Sequence, residues 1–308
     1  MRTALLGGEL RDAIPLVPRH RLRGYELGGM RGAQRGLGSE VSGTRPYEPG
    51  DDVRKIDWAA SARLSAARGS DEFLVREHDA DLAPRVLVVA DRRPGMRLYP
   101  RPWLDKTAAC AHVERLVAAS AQRERALVGL VELLAGEVVW YPAVARPLEP
   151  GLRRLSASYP APRRPLARAL DLLTRERPVP AGSFVFVISD FLEPLPEPEL
   201  VVAAARRLDV VPVVVQDPTW EASFPEAVGG LVLPLADPAT GRPADVRLSR
   251  AEARARRSAH ESRRAALLGR LVELGLEPVA VDGDDSQSVL RALLEWAQAR
   301  LLAAGRAA

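Results

Sequence analysis

Two aspartates stand where an α/β protein does its chemistry. Asp91 ends the apolar run Arg85-Val86-Leu87-Val88-Val89-Ala90-Asp91, and Asp190 comes directly after Phe184-Val185-Phe186-Val187-Ile188-Ser189. Uninterrupted apolar runs of this length read as strands buried on both faces of a parallel sheet. In an open sheet of that kind, ligands sit at the carboxyl ends of the strands. Two carboxylates at neighbouring strand ends could begin a site for Mg²⁺ or Mn²⁺, given further oxygen ligands. They also repel one another unless a cation lies between them. A metal-dependent hydrolase built on Asp91 and Asp190 is therefore one candidate, although neither a third ligand nor a general base is identifiable.

Other catalytic constellations are missing from the sequence. The glycines from Gly28 to Gly38 match neither a dinucleotide fingerprint nor a P-loop, and no Gly-x-Ser-x-Gly elbow occurs. His20, His78, His112 and His260 are scattered, with no i,i+4 pair. Ser39 and Ser189 lack an identifiable base. The lone Cys110 lies in a helical pattern and reads as a small buried hydrophobe.

The densest block of unusual residues is 43–63, Gly-Thr-Arg-Pro-Tyr-Glu-Pro-Gly-Asp-Asp-Val-Arg-Lys-Ile-Asp-Trp-Ala-Ala-Ser-Ala-Arg. Tyr47, Pro49 and Gly50 frame a turn, since Pro49 fixes φ and Gly50 tolerates a positive one. Asp51 or Asp52 is expected to cap the segment after that turn by accepting its orphan backbone N–H groups. Ile56, Trp58 and Ala62 should form a short buried face, while Arg54, Lys55 and Arg63 pair with aspartates such as Asp57. The block is either a stapled structural corner or a docking surface with Trp58 as anchor and arginines on its rim.

Positioning these residues requires a framework, and the periodicity supplies one. Residues 1–18 read as a loosely held arm. After the strand 85–91 come a helix over 104–122, strands over 126–133 and 138–141, a helix over 166–175 and a strand over 184–189. Next are a helix over 197–208 and a strand over 210–215. Segments 231–235 and 245–248 flank Asp237-Pro238-Ala239-Thr240-Gly241 as a hairpin. A helix over 250–274 ending at Gly275, a strand over 278–281 and a helix over 289–303 complete the chain. Strands alternating with helices predict an α/β fold with a mainly parallel sheet.

Charge is carried almost wholly by arginine, lysine being confined to Lys55 and Lys106. Residues 249–270 hold seven arginines and two glutamates, a local +5 against +4 for the whole chain. This stripe could be a solvated helix face with a Glu252–Arg256 pair, a surface for an acidic protein, or a non-specific nucleic-acid binder. No aromatic platform is interleaved with it, so nucleic acid is not the expected partner. No stretch approaches the roughly 18–20 apolar residues of a membrane span. The expectation is a soluble, cytoplasmic protein with no membrane partner.

A long signature runs through the chain: Gly36-Leu37-Gly38-Ser39-Glu40, Arg45-Pro46-Tyr47, Pro49-Gly50-Asp51-Asp52-Val53-Arg54, Ile56-Asp57-Trp58 and Ser61-Ala62-Arg63. It continues in Phe73-Leu74-Val75-Arg76-Glu77, Val187-Ile188-Ser189-Asp190 and Asp237 to Gly241. Over about residues 19–280 the chain resembles the domain of unknown function 58 family, bacterial and archaeal proteins with a von Willebrand factor A-like domain. The resemblance implies a Rossmann-like, mainly parallel sheet flanked by helices over residues 85–308, with a hairpin inserted at about 229–249. An arm and a β-rich, extended signature segment would occupy residues 1–84. It also implies a metal-ion-dependent adhesion site of pattern Asp-x-Ser-x-Ser, with a threonine and an aspartate from two further loops. Here the first loop reads Asp91-Arg92-Arg93-Pro94-Gly95, Arg164 stands at the threonine position, and Asp190 supplies the aspartate. Arginine has no acceptor and cannot ligate a cation. The site is expected to be degenerate and metal-free, with Arg93 or Arg164 lying between Asp91 and Asp190. The family's usual neighbours imply a non-enzymatic adaptor for a MoxR-type AAA+ ATPase in a chaperone-like assembly.

Overall fold

The apolar runs do form strands, and their partners fall on both sides. In the computed structural model, which describes residues 13–19, 35–47, 53–69, 73–79, 85–97, 102–134, 138–144, 164–237 and 242–306, the strands are β1 (Arg35–Pro46), β2 (Leu74–Asp79), β3 (Arg85–Asp91), β4 (Leu127–Leu133), β5 (Val138–Val144), β6 (Phe184–Ser189), β7 (Asp209–Val215), β8 (Val232–Ala236), β9 (Pro243–Arg247) and β10 (Val279–Val281). The helices are α1 (Trp58–Arg68), α2 (Lys106–Arg123), α3 (Pro165–Asp171), α4 (Glu197–Ala205), α5 (Arg250–Glu273) and α6 (Ser286–Arg306). Six strands make the central sheet in the order β10-β7-β6-β3-β4-β5, parallel except for the edge strand β5. β1 with β2 and β8 with β9 form separate antiparallel pairs.

Side-chain alternation splits the core into two layers. Val86, Val88 and Ala90 of β3 join Phe184, Phe186 and Ile188 of β6 under α2 and α6. Leu87, Val89, Val185 and Val187 face the opposite way, against Leu166 and Leu170 of α3, Leu200 of α4 and Leu271 of α5. Both faces of the sheet are thus covered, as a parallel sheet requires. The fold is mixed α/β with a mostly parallel central sheet flanked by helices. Among the described residues, no helix is long and apolar enough to cross a membrane.

Two sequence expectations need correction. Residues 13–19 are not loosely held: Ile14 and Leu16 are buried, and the Ile14 N–H donates to Ser120 Oγ at 2.9 Å. Extended backbone lets alternate residues point inward, and Pro15 between them stays exposed. Second, the helix over 166–175 is α-helical only to Asp171, widening into a π turn over Leu172–Glu176. Thr174 Oγ1 donates to the Leu170 carbonyl at 2.8 Å there, and Pro178 keeps Arg177 from continuing the helix. The helix α1 is capped by Asp57, whose Oδ1 accepts from the Ala60 N–H at 3.0 Å. Asp51 and Asp52 lie outside the described residues.

The buried face of α1 is also shifted from expectation. Ile56 and Ser61 are buried, whereas Trp58 and Ala62 are exposed. Ser61 is drawn inward because its hydroxyl accepts from the Leu74 N–H at 2.9 Å and donates to the Asp57 carbonyl at 2.7 Å. Trp58 and Ala62, four apart, therefore share the outward face.

Candidate functional site

β3 lies between β4 and β6, and the chain leaves β3 toward β4 but leaves β6 toward β7. The connections depart on opposite sides, which opens a crevice at the carboxyl ends of β3 and β6. Asp91 is the last residue of β3, and Ser189-Asp190 ends β6. The two predicted carboxylates are brought to this switch point.

Arg93 fills the space between them. Its backbone N–H and Nε donate to Asp91 Oδ1 at 3.0 and 2.9 Å, and its Nη2 donates to Asp91 Oδ2 at 2.5 Å. The same Nη2 lies 3.8 Å from Asp190 Oδ1, and Nη1 pairs with Glu193. Ser189 Oγ donates to Asp91 Oδ2 at 2.7 Å. A second cation closes the other side of Asp190: Lys106 Nζ is 3.1 Å from Asp190 Oδ2 and 2.5 Å from Glu221 Oε1. Glu221 Oε2 in turn accepts from the Asp217 N–H at 2.9 Å, and Gln216 Nε2 donates to the Asp190 carbonyl at 2.7 Å. Across the rim, Arg93 joins Glu193, Asp91 and Asp190, and Lys106 joins Asp190 to Glu221.

Burial sets the electrostatics of this row. Lys106 is 1% exposed. Burial alone would lower its proton affinity, but Asp190 and Glu221 raise it above that of an ordinary lysine, so it is an ammonium. Burial likewise opposes ionisation of Asp190, yet Lys106 and Arg93 hold its carboxyl below the usual range. Glu193 and Glu221 are pushed up, chiefly by burial. All four oxygens of Asp91 and Asp190 accept from protein donors, Asp190 Oδ1 from the Leu192 N–H at 3.2 Å. A divalent cation would have to displace Arg93 and Lys106, so the residues present do not fit one. Among the described residues, no set of three or more His, Cys, Asp or Glu side chains converges as a metal site.

Arg164, the other arginine expected near the carboxylates, is elsewhere. It is exposed, precedes α3 with φ 49°, and pairs with Glu199 at 3.3 Å. Gly95 lies in the short turn Pro94–Arg97. Arg92 points away from Arg93 into a second buried cluster, 2.7 Å from Glu114 and 3.4 Å from Glu132.

The signature residues gather around β2. The Tyr47 N–H donates to the Phe73 carbonyl at 2.8 Å, and Trp58 meets the Phe73 ring edge-on at 5.8 Å. Trp58 is 63% exposed. Arg54 is exposed, and Arg63 Nε donates to the Ala59 carbonyl at 3.1 Å. Pro49 and Gly50 lie outside the described residues. On α5, Glu252 closes a capping box with Ser249 instead of pairing with Arg256, and the i,i+4 ion pair is Arg257–Glu261 at 2.8 Å.

Sequence reasoning missed Lys106, Glu193 and Glu221. Lys106 carried a signal: it is one of two lysines, and it shares the 106-109-110-113-117 helical stripe with Ala109, Cys110, Val113 and Val117, all buried. A charge on the core face of a helix needs a buried partner.

Several known proteins are similar to this chain. Uncharacterized proteins of Mycobacterium bovis and Mycobacterium tuberculosis are each 32% identical over 108 residues, which is 35% of this chain. The chain spans 30% of the length of these curated relatives. Among solved structures, the conserved hypothetical protein BatB from Bacteroides thetaiotaomicron aligns with TM-score 0.38 and 16% identity, over 71% of this chain and 99% of that one. An aerotolerance-related membrane protein from Bacteroides fragilis aligns with TM-score 0.35 and 13% identity, over 70% and 100%. The family described as "Protein of unknown function DUF58" matches residues 43–266. With most of its length covered by that match, this chain belongs to the DUF58 family.

Proposed function

We propose that this chain is a non-enzymatic protein-interaction module, an adaptor for a MoxR-type AAA+ ATPase in a chaperone-like assembly. Its sheet would be a von Willebrand factor A-like domain whose metal-ion-dependent adhesion site is degenerate, Arg93 and Lys106 standing in for the ion. The observation that carries this reading is the guanidinium of Arg93 between Asp91 and Asp190, 3.8 Å from the latter. A hydrolase at the same carboxylates fits less well, because every oxygen of both already accepts from a protein donor. Recognition would use the accessible parts of the molecule, the Trp58–Phe73 pair and the half-buried Glu193.

The test is to purify the tagged chain from its own cells at low and moderate salt and identify what co-elutes by mass spectrometry. An AAA+ ATPase retained by the wild type and lost on Trp58→Ala supports the proposal. Trp58 is exposed, so that variant should fold normally. Recovery of nucleic acid released by salt, with no ATPase, would overturn it and turn attention to the arginines of α5.

A further inference from the structure

A cleft of about 580 Å³ opens at the carboxyl edge of the sheet, next to the Asp91–Asp190 rim. Trp103 and Leu104, which precede α2, form part of its lining, as do Pro218 after β7 and Asp282 and Asp284 after β10. Its walls are fixed by hydrogen bonds. The Leu104 N–H donates to Asp217 Oδ2 at 2.7 Å, and the Asp105 N–H donates to Asp284 Oδ2 at 3.1 Å. Trp103, 39% exposed, is braced edge-on against Trp220 at 5.4 Å.

Two helices begin beside this cleft, and a helix N-terminus ordinarily draws an anion. Here several of those donors are already used. The Ala108 N–H of α2 donates to Asp105 Oδ1 at 2.9 Å, and the Gln287 and Ser288 N–H groups of α6 donate to Asp285 Oδ1 at 3.0 and 2.9 Å. Each helix end thus presents a capping carboxylate that already takes up part of its N–H groups. The described lining residues include no lysine or arginine. What remains is an indole, apolar surface from Leu104 and Pro218, and two carboxylates. An aromatic ring and carboxylates recognise a cation together, and an aliphatic stem can lie along the apolar wall.

We propose that this cleft receives an arginine side chain presented by a loop of a partner protein. The argument is charge complementarity at a concave site whose aromatic wall is already ordered. It deepens the interaction-module reading, resting on it only for the partner's identity, because a free peptide tests the cleft by itself.

The experiment is a ¹H–¹⁵N NMR titration of the full chain with the capped tripeptide acetyl-Gly-Arg-Ala-amide, alongside its neutral citrulline counterpart. Saturable shifts at the Trp103 indole and the Asp282–Asp284 amides are expected for the arginine peptide, and none for citrulline. Asp282→Asn combined with Asp284→Asn should weaken binding roughly tenfold, since two exposed ion pairs are lost. The Asn at 284 keeps an acceptor for the Asp105 N–H, so folding should be preserved. Trp103→Ala should weaken binding roughly two- to fivefold. Absence of saturable shifts up to about 10 mM peptide, equal binding of the citrulline peptide, or unchanged binding in the double variant would each overturn the proposal. Concentration-dependent dimers that the double variant abolishes would overturn it too, making a second copy's α5 arginines the occupant.

Discussion

The ammonium of Lys106 sits 3.1 Å from Asp190 Oδ2, joining the first turn of α2 to the end of β6 inside the protein. Lysine is rarely so buried, and it is stable here because Asp190 and Glu221 both accept from it. The bond fixes where α2 begins, and therefore where Asp105 and the Trp103–Leu104 wall lie. With Arg93 on its other side, Asp190 is held between two cations from separate segments.

Removing the ammonium should cost more than the pair is worth. Lys106→Met leaves two buried carboxylates facing each other, and a loss of about 3–5 kcal/mol is expected. Adding Asp190→Asn and Glu221→Gln to that variant should recover most of it, because neutral amides need no counter-charge. Urea unfolding of the single and triple variants measures both. A single-variant loss below about 1 kcal/mol would mean the network does not hold the rim.

A different buried group contributes to the pH response. Burial lifts the Glu114 carboxyl above its ordinary 4.5, against the pull of Arg92, and among the described residues its Oε1 has no hydrogen-bond partner. The folded chain thus binds this proton more tightly than the unfolded chain. Its contribution to stability is complete below pH 4.5 and is lost as pH rises through the raised folded value. Glu114→Gln should remove this group's share of the decline, about 1.4 kcal/mol for each tenfold difference in proton affinity. Unfolding midpoints of wild type and variant, compared from pH 4.5 upward, test it. Parallel curves would contradict the assignment.

The sheet was legible in the sequence because β3, β6 and β7 are nearly uninterrupted apolar runs, buried along both faces. Asp91 and Asp190 came with it, since strand ends define the rim. Arg93 and Arg164 stood as equals, and only the fold separates them: one is two residues from Asp91, the other is exposed on Glu199. Lys106 begins α2, Glu193 follows β6 and Glu221 follows β7, and nothing local ties them together. Trp58 illustrates a one-turn error. Apolar type argued for burial, but Ser61, by bonding to the β2 backbone, takes the inward face.

One arginine adds to the hold on the docked arm. Arg300 Nη1 and Nη2 each lie 2.8 Å from Asp209, Nη1 also donates to the Val17 carbonyl at 2.9 Å, and its guanidinium lies 4.5 Å from the Trp296 ring centre. Arg300→Gln should unpair the buried Asp209, cost about 3–5 kcal/mol and free residues 13–19. Hydrogen exchange of the Ile14 and Arg19 amides should then rise by a larger factor than exchange of the β6 amides. Equal acceleration would mean that Arg300 does not hold the arm.

If the rim is the degenerate adhesion site proposed above, installing the residues of that pattern should not by itself create metal binding. Arg93→Ser and Gly95→Ser place hydroxyls in the loop after Asp91, and Arg164→Thr changes an exposed position paired with Glu199, yet Lys106 would still neutralise Asp190 from 3.1 Å. Two positive centres near one site repel, so Mg²⁺ affinity of this triple variant should remain weaker than about 1 mM. Arg164→Thr carries a further cost, because residue 164 has φ 49°, a conformation that a β-branched side chain resists by about 1–2 kcal/mol. Adding Lys106→Gln removes the remaining charge and leaves Asp91 and Asp190 with hydroxyls and water as neighbours. Mg²⁺ binding by calorimetry should appear only in that quadruple variant, and should disappear again on Asp91→Asn. Tight binding by the triple variant would show that Lys106 is no barrier and that Arg93 alone excludes the ion.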